Sequence, residues 1–312
     1  MIVTITMNPS VDMSYPLPHL KLDDVNRVAE VSKTAGGKGL NVSRVLHQLG
    51  KEVLATGVIG GHLGAFIKDQ LTAAGILHDF TEIREESRNS IAILHDGGKQ
   101  TELLEKGPFV TQEEEQRFIL RYQYLLKKCS LVTISGSLAA GLSVNLYEQL
   151  IELANREQVR VLLDTSGESL KAAVASKNKP YLIKPNETEI AELLGGAEAE
   201  KTSLIEQLQH PLFDGISWVV VSMGAAGAIA KHHQKVYRVT IPEIDVVNPV
   251  GSGDATLAGL ADGLKDGCSD EELLKWGMTT GMLNALEVKT GHINPKKAAA
   301  LFKQITIEQV EE

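Results

Sequence analysis

Asp254 stands three residues after a glycine in the run Gly251-Ser252-Gly253-Asp254-Ala255, which follows an apolar, β-prone stretch at 246–250 and leads into a helix-patterned segment. Strand, glycine turn and helix start in that order gather the unpaired first amides of a helix, and its positive dipole end, around one concavity suited to an anion. A carboxylate there would take the proton of a hydroxyl group while the amides of 251–254 hold the charge of a phosphoryl group moving onto the oxygen. The same residues also suit a plainer role, an Asp that caps a helix behind a tight turn.

A second glycine cluster, Gly36-Gly37-Lys38-Gly39, precedes a segment whose apolar residues Val42, Val45, Leu46 and Leu49 keep the helical period and stop at Gly50. Lys38 and Asn41 would project from its first turns, a cation and an amide of the kind that hold a phosphorylated, hydroxyl-rich ligand. One such run is commonly a surface turn; two, one basic and one acidic, fit an enzyme with two substrates. No Gly-x-x-x-x-Gly-Lys-Ser/Thr run exists, so a nucleotide would be held without a P-loop. The predicted strand 218–222 runs into Met223-Gly224-Ala225-Ala226-Gly227, where ATP could approach the backbone closely, although a plain hairpin turn reads the same way. Asn186 and Glu189, three residues apart at a helix start, share a face and also form a capping-box pattern.

These groups must be positioned by a chain of 312 residues with 43% hydrophobic content, ample for a buried core. A net charge of -9 argues against a nucleic-acid partner, so anionic substrates must be held by local arrangements. Cys129 and Cys268 have neither metal nor redox spacing, the N-terminus lacks a basic signal region, and no apolar run reaches membrane length; together these place the protein in the cytoplasm. The nine histidines show no ligand spacing, and His232 and His233 on a strand would face opposite ways. The acidic runs 113–115 and 311–312 read as solvated faces.

Predicted strands at 2–6, 53–58, 131–135, 160–164, 181–183 and 218–222 alternate with helices at 64–74, 112–128, 144–157, 187–194 and 203–210. Further helices follow at 254–265, 270–286 and 295–304. That alternation indicates an α/β fold with a mostly parallel central sheet flanked by helices on both faces. Two stretches break it: 11–17 with 27–35, and 89–95 with 100–106 around Asp96-Gly97-Gly98, read as β-hairpins.

With its Gly-Gly-Lys-Gly-x-Asn segment at 36–41, its Asn-x-x-Glu element at 186–189 and its Gly-x-Gly-Asp at 251–254, the chain resembles the ribokinase-like (PfkB) carbohydrate kinases from Asn8 to about Gly291. Asn8-Pro9-Ser10-Val11-Asp12, Ser135-Gly136-Ser137-Leu138 and Asn248-Pro249-Val250 before the last motif look like the branch acting on ketohexose phosphates, whereas other branches read Asp-Thr-Thr-Gly-Ala-Gly-Asp there. Within it the chain is most similar to kinases of tagatose 6-phosphate, with those of fructose phosphates as near neighbours. The resemblance implies a ribokinase-like main domain (1–10, 36–87 and 109–312) and a small β-sheet lid (11–35 and 88–108) over the sugar. It implies transfer from ATP to the 1-hydroxyl of D-tagatose 6-phosphate, a step of lactose and galactose breakdown, with 1-phosphofructokinase or 6-phosphofructokinase activity as the alternative.

The roles it implies are these. Asp254 is the base and Gly251, Ser252 and Gly253 hold the transferred group. Asp12 and Asn41 bind sugar hydroxyls, Gly36 and Gly37 let the ligand approach the backbone, and Lys38 and Arg88 meet the substrate's own phosphate. Ser137 and Arg27 join them, or are ordinary surface polar residues; Arg27 would act across a homodimer closed through the lids. Lys184, Asn186, Ser222, Gly224, Gly227 and Gly253 face ATP, and Glu189 holds Mg²⁺ through water. A nicotinamide-dependent oxidoreductase would need Gly-x-Gly-x-x-Gly after the first strand, where Met7-Asn8-Pro9-Ser10 stands instead. A silent sugar-phosphate sensor would have no use for the base.

Overall fold

The first strand, β1 (Ile2–Thr6), is buried at every position, as a strand covered by helices on both sides must be. The structure, a computed structural model, describes residues 1–196 and 202–310, so the acidic pair Glu311-Glu312 lies outside the described residues. After β1 come β2 (Ser10–Pro16), β3 (Ser32–Gly36), α1 (Lys38–Gln48), β4 (Val53–Gly60), α2 (Gly61–Ala73), β5 (Leu77–His78), β6 (Thr81–Ile83), β7 (Arg88–His95) and β8 (Lys99–Leu104). The middle of the chain gives α3 (Gln112–Leu126), β9 (Leu131–Ser135), α4 (Leu146–Arg156), β10 (Arg160–Asp164), α5 (Gly167–Ala175), β11 (Leu182–Ile183), α6 (Glu187–Leu193) and α7 (Leu204–Gln207). It closes with β12 (Trp218–Ser222), β13 (Ala228–His232), β14 (Lys235–Thr240), α8 (Ser252–Asp266), α9 (Asp270–Ala285), α10 (Ala298–Phe302) and β15 (Thr306–Val310).

The large sheet has 11 strands in the order β15-β14-β13-β12-β11-β10-β9-β1-β4-β5, with β6 also paired to β4. Pairing is parallel from β5 across to β12 and antiparallel from β12 to β15. Leu40, Leu257 and Leu283, from α1, α8 and α9, pack in the core on one face, and Phe118, Leu150 and Leu170, from α3, α4 and α5, on the other. From β1 the chain builds outward to β4 on one side and later to β9 on the other. The carboxyl ends of these strands therefore open a crevice at a topological switch point, where α/β sheets hold ligands.

The two expected hairpins exist, and β2 and β7 join them through a parallel seam into a second sheet ordered β3-β2-β7-β8. Ser10, Asp12 and Ser14 on β2, Arg88 and Ser90 on β7, and Gln100 and Glu102 on β8 line a cleft beneath it. The alternate positions Tyr15, Ile91, Ile93 and Leu103 point away, as the pleat requires. The lid thus turns a mainly polar face to the cleft, with Ala92 and Leu94 at the far end of its β7 row, and a more apolar one outward.

Four expectations are corrected. The acidic run 113–115 is not a solvated face: Glu114 and Glu115 are buried, Glu114 in a capping box with Thr111 at the start of α3. The run 246–250 is not a strand. Pro249 has no N–H to give a ladder, the amides of Val247 and Asn248 both donate to Ala285 O, and Val246 and Val247 are exposed. Helix α8 begins two residues earlier than expected, at Ser252. His233 sits in a turn at φ 53 rather than on β13, so its ring lies 4.4 Å from that of His232 instead of on the opposite face.

Candidate active site

Helix α8 starts from Gly251, whose φ of 84 lies in the left-handed region, and a Cβ there would come within 2.5 Å of Thr290 Cγ2; both favour glycine. Asn284 on α9 holds this turn, donating from Nδ2 to Val250 O (2.9 Å) and Ser252 Oγ (3.3 Å) and accepting from Gly291 N (2.8 Å). The amides of Gly253 and Asp254 have no hydrogen-bond partner among the described residues, as befits a helix's first turn left open for a ligand. Asp254 does not cap the helix. Its Oδ2 accepts from Asn41 Nδ2 on α1 at 2.8 Å, at the wall of the cleft. Burial, and then the negative charge of Asp164, push its carboxyl up to about 7, against the Asn41 hydrogen bond and the charges of Lys38 and Lys184.

Across from the turn, Asp164 ends β10 and is buried between two ammonium groups, Lys184 Nζ at 3.1 Å and Lys38 Nζ at 3.3 Å. Burial alone would raise its carboxyl; the two lysines outweigh that and hold it below the usual range. Lys38 is in turn pushed up, above all by Asp164. Lys184 is no solvated strand-end charge: its side chain is only 5% exposed, and a Cβ placed on Gly253 would lie 3.3 Å from its Nζ. The ammonium therefore stands over the start of α8, where helix amides and a cation act on the same anion.

On the lid side Asp12 accepts from Ser10 Oγ at 2.6 Å, and burial raises its carboxyl against that bond and the charges of Arg88 and Arg44. Gly36 backs it: any Cβ there would sit 2.0 Å from Asp12 Cγ and drive the carboxylate out of place. Arg88 is anchored through Nε to Asn8 O and through Nη1 to Glu105 O, both at 3.3 Å. The cleft these groups enclose has a volume of about 690 Å³.

Of the residues singled out in the sequence, Asp12 and Arg88 line the cleft from the lid, Gly37, Lys38 and Asn41 line it at the start of α1, and Gly251, Gly253 and Asp254 at the start of α8. Lys184, Asn186, Glu189 and Ser222 line its far end. Ser252 and Gly36 stand behind this lining. Ser137 is exposed in the turn after β9 and Arg27 is exposed between β2 and β3, neither in the cleft. Gly224 is exposed in a 3-10 turn joining β12 to the antiparallel β13, so the hairpin reading of 223–227 holds. Gly227 is buried at a φ of 90, and a Cβ on it would lie 2.0 Å from Val239 O, so backbone and packing together explain the glycine.

Asn186 and Glu189 do form a capping box, Glu189 N donating to Asn186 Oδ1 (2.8 Å) and Asn186 N to Glu189 Oε2 (2.9 Å). Burial raises the Glu189 carboxyl. Among the described residues no group of three or more His, Cys, Asp and Glu side chains could cage a metal ion. Glu189, a cleft carboxylate facing Lys38, Asp164 and Lys184, fits instead an ion held largely through its own water shell, which is the habit of Mg²⁺.

A family model of pfkB carbohydrate kinases matches residues 2–297. The chain belongs to the pfkB family of carbohydrate kinases. Solved structures agree over the whole length. A putative phosphofructokinase from Staphylococcus aureus is 29% identical over 100% of this chain and 99% of that one, with a TM-score of 0.83. Phosphofructokinase-2 from Escherichia coli, in complex with potassium, is 25% identical over 97% and 98%, with a TM-score of 0.89. A possible 1-phosphofructokinase from Thermotoga maritima is 25% identical over 99% of both chains, with a TM-score of 0.87. As a pfkB kinase the protein is an ATP-dependent sugar kinase.

Two parts of this pfkB site escaped the sequence reading. Asp164, which organises both lysines, ends a predicted strand, and an acid at the carboxyl end of a parallel strand is a signal that could have found it. Arg44, one turn after Asn41 on α1, carries no motif of its own, and only the fold brings it to Asn41 Oδ1 and Thr290 O.

Proposed function

We propose that the protein transfers the γ-phosphoryl group of MgATP to the 1-hydroxyl of D-tagatose 6-phosphate, giving D-tagatose 1,6-bisphosphate and MgADP. The observation that carries the mechanism is the carboxyl of Asp254, raised to about 7 beside the open amides that begin α8. Asp254 takes the hydroxyl proton, and the amides of Gly253 and Asp254 together with Lys184 and Lys38 meet the charge on the group in flight. Asp12 accepts from sugar hydroxyls, and Arg88 faces the phosphate already on the sugar, whereas Lys38, expected at that phosphate from the sequence, has its ammonium on Asp164 beside Lys184 at the α8 end. The lid, residues 11–35 and 88–108, covers the pair and keeps water from the ATP. Ser222 and Asn186 lie on the nucleotide side. Glu189 would hold Mg²⁺ through water; when bound, that ion neutralises charge on the β- and γ-phosphate oxygens.

The likeness to a putative phosphofructokinase and a possible 1-phosphofructokinase favours a second reading, a fructose-phosphate kinase on the same machinery. Coupled ADP-release assays with tagatose 6-phosphate, fructose 6-phosphate and fructose 1-phosphate separate the two. The highest kcat/KM is expected for tagatose 6-phosphate, and a tenfold advantage for either fructose phosphate would replace it. Arg88→Ala is expected to raise KM for the sugar phosphate by about 10- to 100-fold and KM for ATP by less than about twofold, since its charge meets only the former. Equal changes would put Arg88 on the nucleotide side.

The outward face of the lid supports a homodimer closed lid to lid: Leu103 is 54% exposed there, beside Ile91 and Ile93. Such a dimer would let Arg27, outside its own cleft, reach its neighbour's. Sedimentation at twice the chain mass of 33.8 kDa is expected; a fully active monomer at micromolar concentration would remove both ideas.

A further inference from the structure

The amide of Asn41 lies between two groups of opposite sign. Its Nδ2 donates to Asp254 Oδ2 at 2.8 Å, and its Oδ1 accepts from Arg44 Nη1 at 2.9 Å. A guanidinium has donors only and an ionised carboxylate has acceptors only. Turned over, the amide would set N–H against N–H on one side and oxygen against carboxylate on the other. Arg44 therefore admits a single orientation. It is itself held from two other segments: Nη1 also donates to Thr290 O at 3.2 Å, and Nη2 donates to Ala35 O at the end of lid strand β3. Room for it comes from Gly291, where a Cβ would lie 2.5 Å from Nη1. Three backbone or amide oxygens thus converge on one planar fork, an arrangement that an ammonium group reproduces only in part.

We infer that Arg44, which does not line the cleft, is a positioning residue of the phosphoryl transfer: by fixing the Asn41 amide it keeps an N–H on the carboxylate of Asp254. The inference rests on the reading of Asp254 as the base. Without that lock the amide can turn its oxygen to Asp254, and the ionised base loses a donor. The charged groups that face Asp254 are Lys38 and Arg44 on α1, Asp164 on β10 and Lys184 after β11. Burial and Asp164 already drive the base toward its neutral form, and the Asn41 hydrogen bond is the foremost influence against them. Its loss should make the base ionise only at higher pH.

The test is the pH profile of kcat for ADP release with saturating MgATP and whichever of the three sugar phosphates is turned over fastest. In Arg44→Met the acid limb is expected to move up by about one pH unit, with kcat at pH 6 lowered about tenfold and KM for ATP within about twofold of the wild type. Arg44→Lys, which keeps a donor for Asn41 Oδ1, should restore most of the profile. In an Asn41→Leu background Arg44→Met should add no further movement. A limb unmoved in Arg44→Met overturns the inference, and so does a limb that moves equally in the Asn41→Leu background, where the charge would act directly. Should Arg44→Met not fold, Arg44→Gln takes its place: it retains a donor without a charge, so a limb displaced as far as in Asn41→Leu overturns the inference and a wild-type limb upholds it. Loss of turnover in Asp254→Asn alongside an unmoved limb in Arg44→Met sinks this inference alone, whereas persistent turnover in Asp254→Asn sinks the base itself.

Discussion

Asp254→Asn is expected to lower kcat by a factor on the order of 10² to 10⁴ and, above pH 7, to make the protein harder to unfold. Both effects come from one carboxyl raised from 3.8 to about 7. As a base it works only when ionised, so wild-type kcat should climb with pH through about 7. For stability the sign is opposite. Between about pH 4 and 7 the native state holds a proton that the unfolded chain has released, so stability falls as pH rises through that window, and the full cost is present above it. Three units correspond to about 4 kcal/mol; with the nearby lysines left less balanced in the variant, a net gain of about 1–3 kcal/mol, or several degrees in Tm, is reasonable. Calorimetry should find the gain larger at pH 8 than at pH 5. Near-wild-type turnover in the variant would remove the base assignment, and a lower Tm at pH 8 would mean that the ionised carboxylate is stabilised rather than strained by its surroundings.

Asp254 was legible in the sequence because everything that marks it is local: a glycine turn, a helix start and an acid within four residues. Its partner Asn41 lies 213 residues away and Lys38 lies 126 from Asp164, so the pairings emerge only when the parallel sheet brings the carboxyl ends of its strands together. The lid shows the same division. The break in alternation and the Asp96-Gly97-Gly98 turn located its hairpins, though β3 covers only the end of the expected 27–35; which face meets the cleft depends on how β2 pairs with β7, a parallel contact between segments 78 residues apart that no turn signal announces. The β-prone stretch at 246–250 misled because valines suit a strand, and the veto came from Pro249 and from the Ala285 carbonyl that takes its amides. Glycines carried the same ambiguity. Gly251 opens α8 at a φ of 84 in the wall of the cleft while Gly227 ends a turn at a φ of 90 packed against Val239 O, and in sequence both are simply glycines after a strand-like run.

The ion cluster around Asp164 gives the second large effect. Asp164→Asn leaves Lys184, 5% exposed, without its ion-pair partner, and breaking a buried pair on one side costs about 3–5 kcal/mol. Asparagine retains an acceptor, so the lower end applies: about 3 kcal/mol, or a Tm lower by about 5–10 °C. The carboxyl of Asp164 is held below its usual range, so its contribution is fully present above about pH 4 and is lost as pH falls through the folded value; the difference between variant and wild type should narrow in acid. Adding Lys184→Met removes the stranded charge and should recover most of the stability, as coupled neighbours do in a double-mutant cycle, but not the turnover, because the ammonium over the start of α8 is gone. Asp164 is also the foremost charge raising Asp254, so Asp164→Asn should let the base ionise at lower pH and shift the acid limb of kcat downward, opposite to the shift expected for Arg44→Met. An unchanged Tm would show that water already screens Lys184. A limb that stays near pH 7 while Tm falls would separate the two roles, leaving Asp164 as the anchor of the lysines and burial alone as the source of the base's high proton affinity.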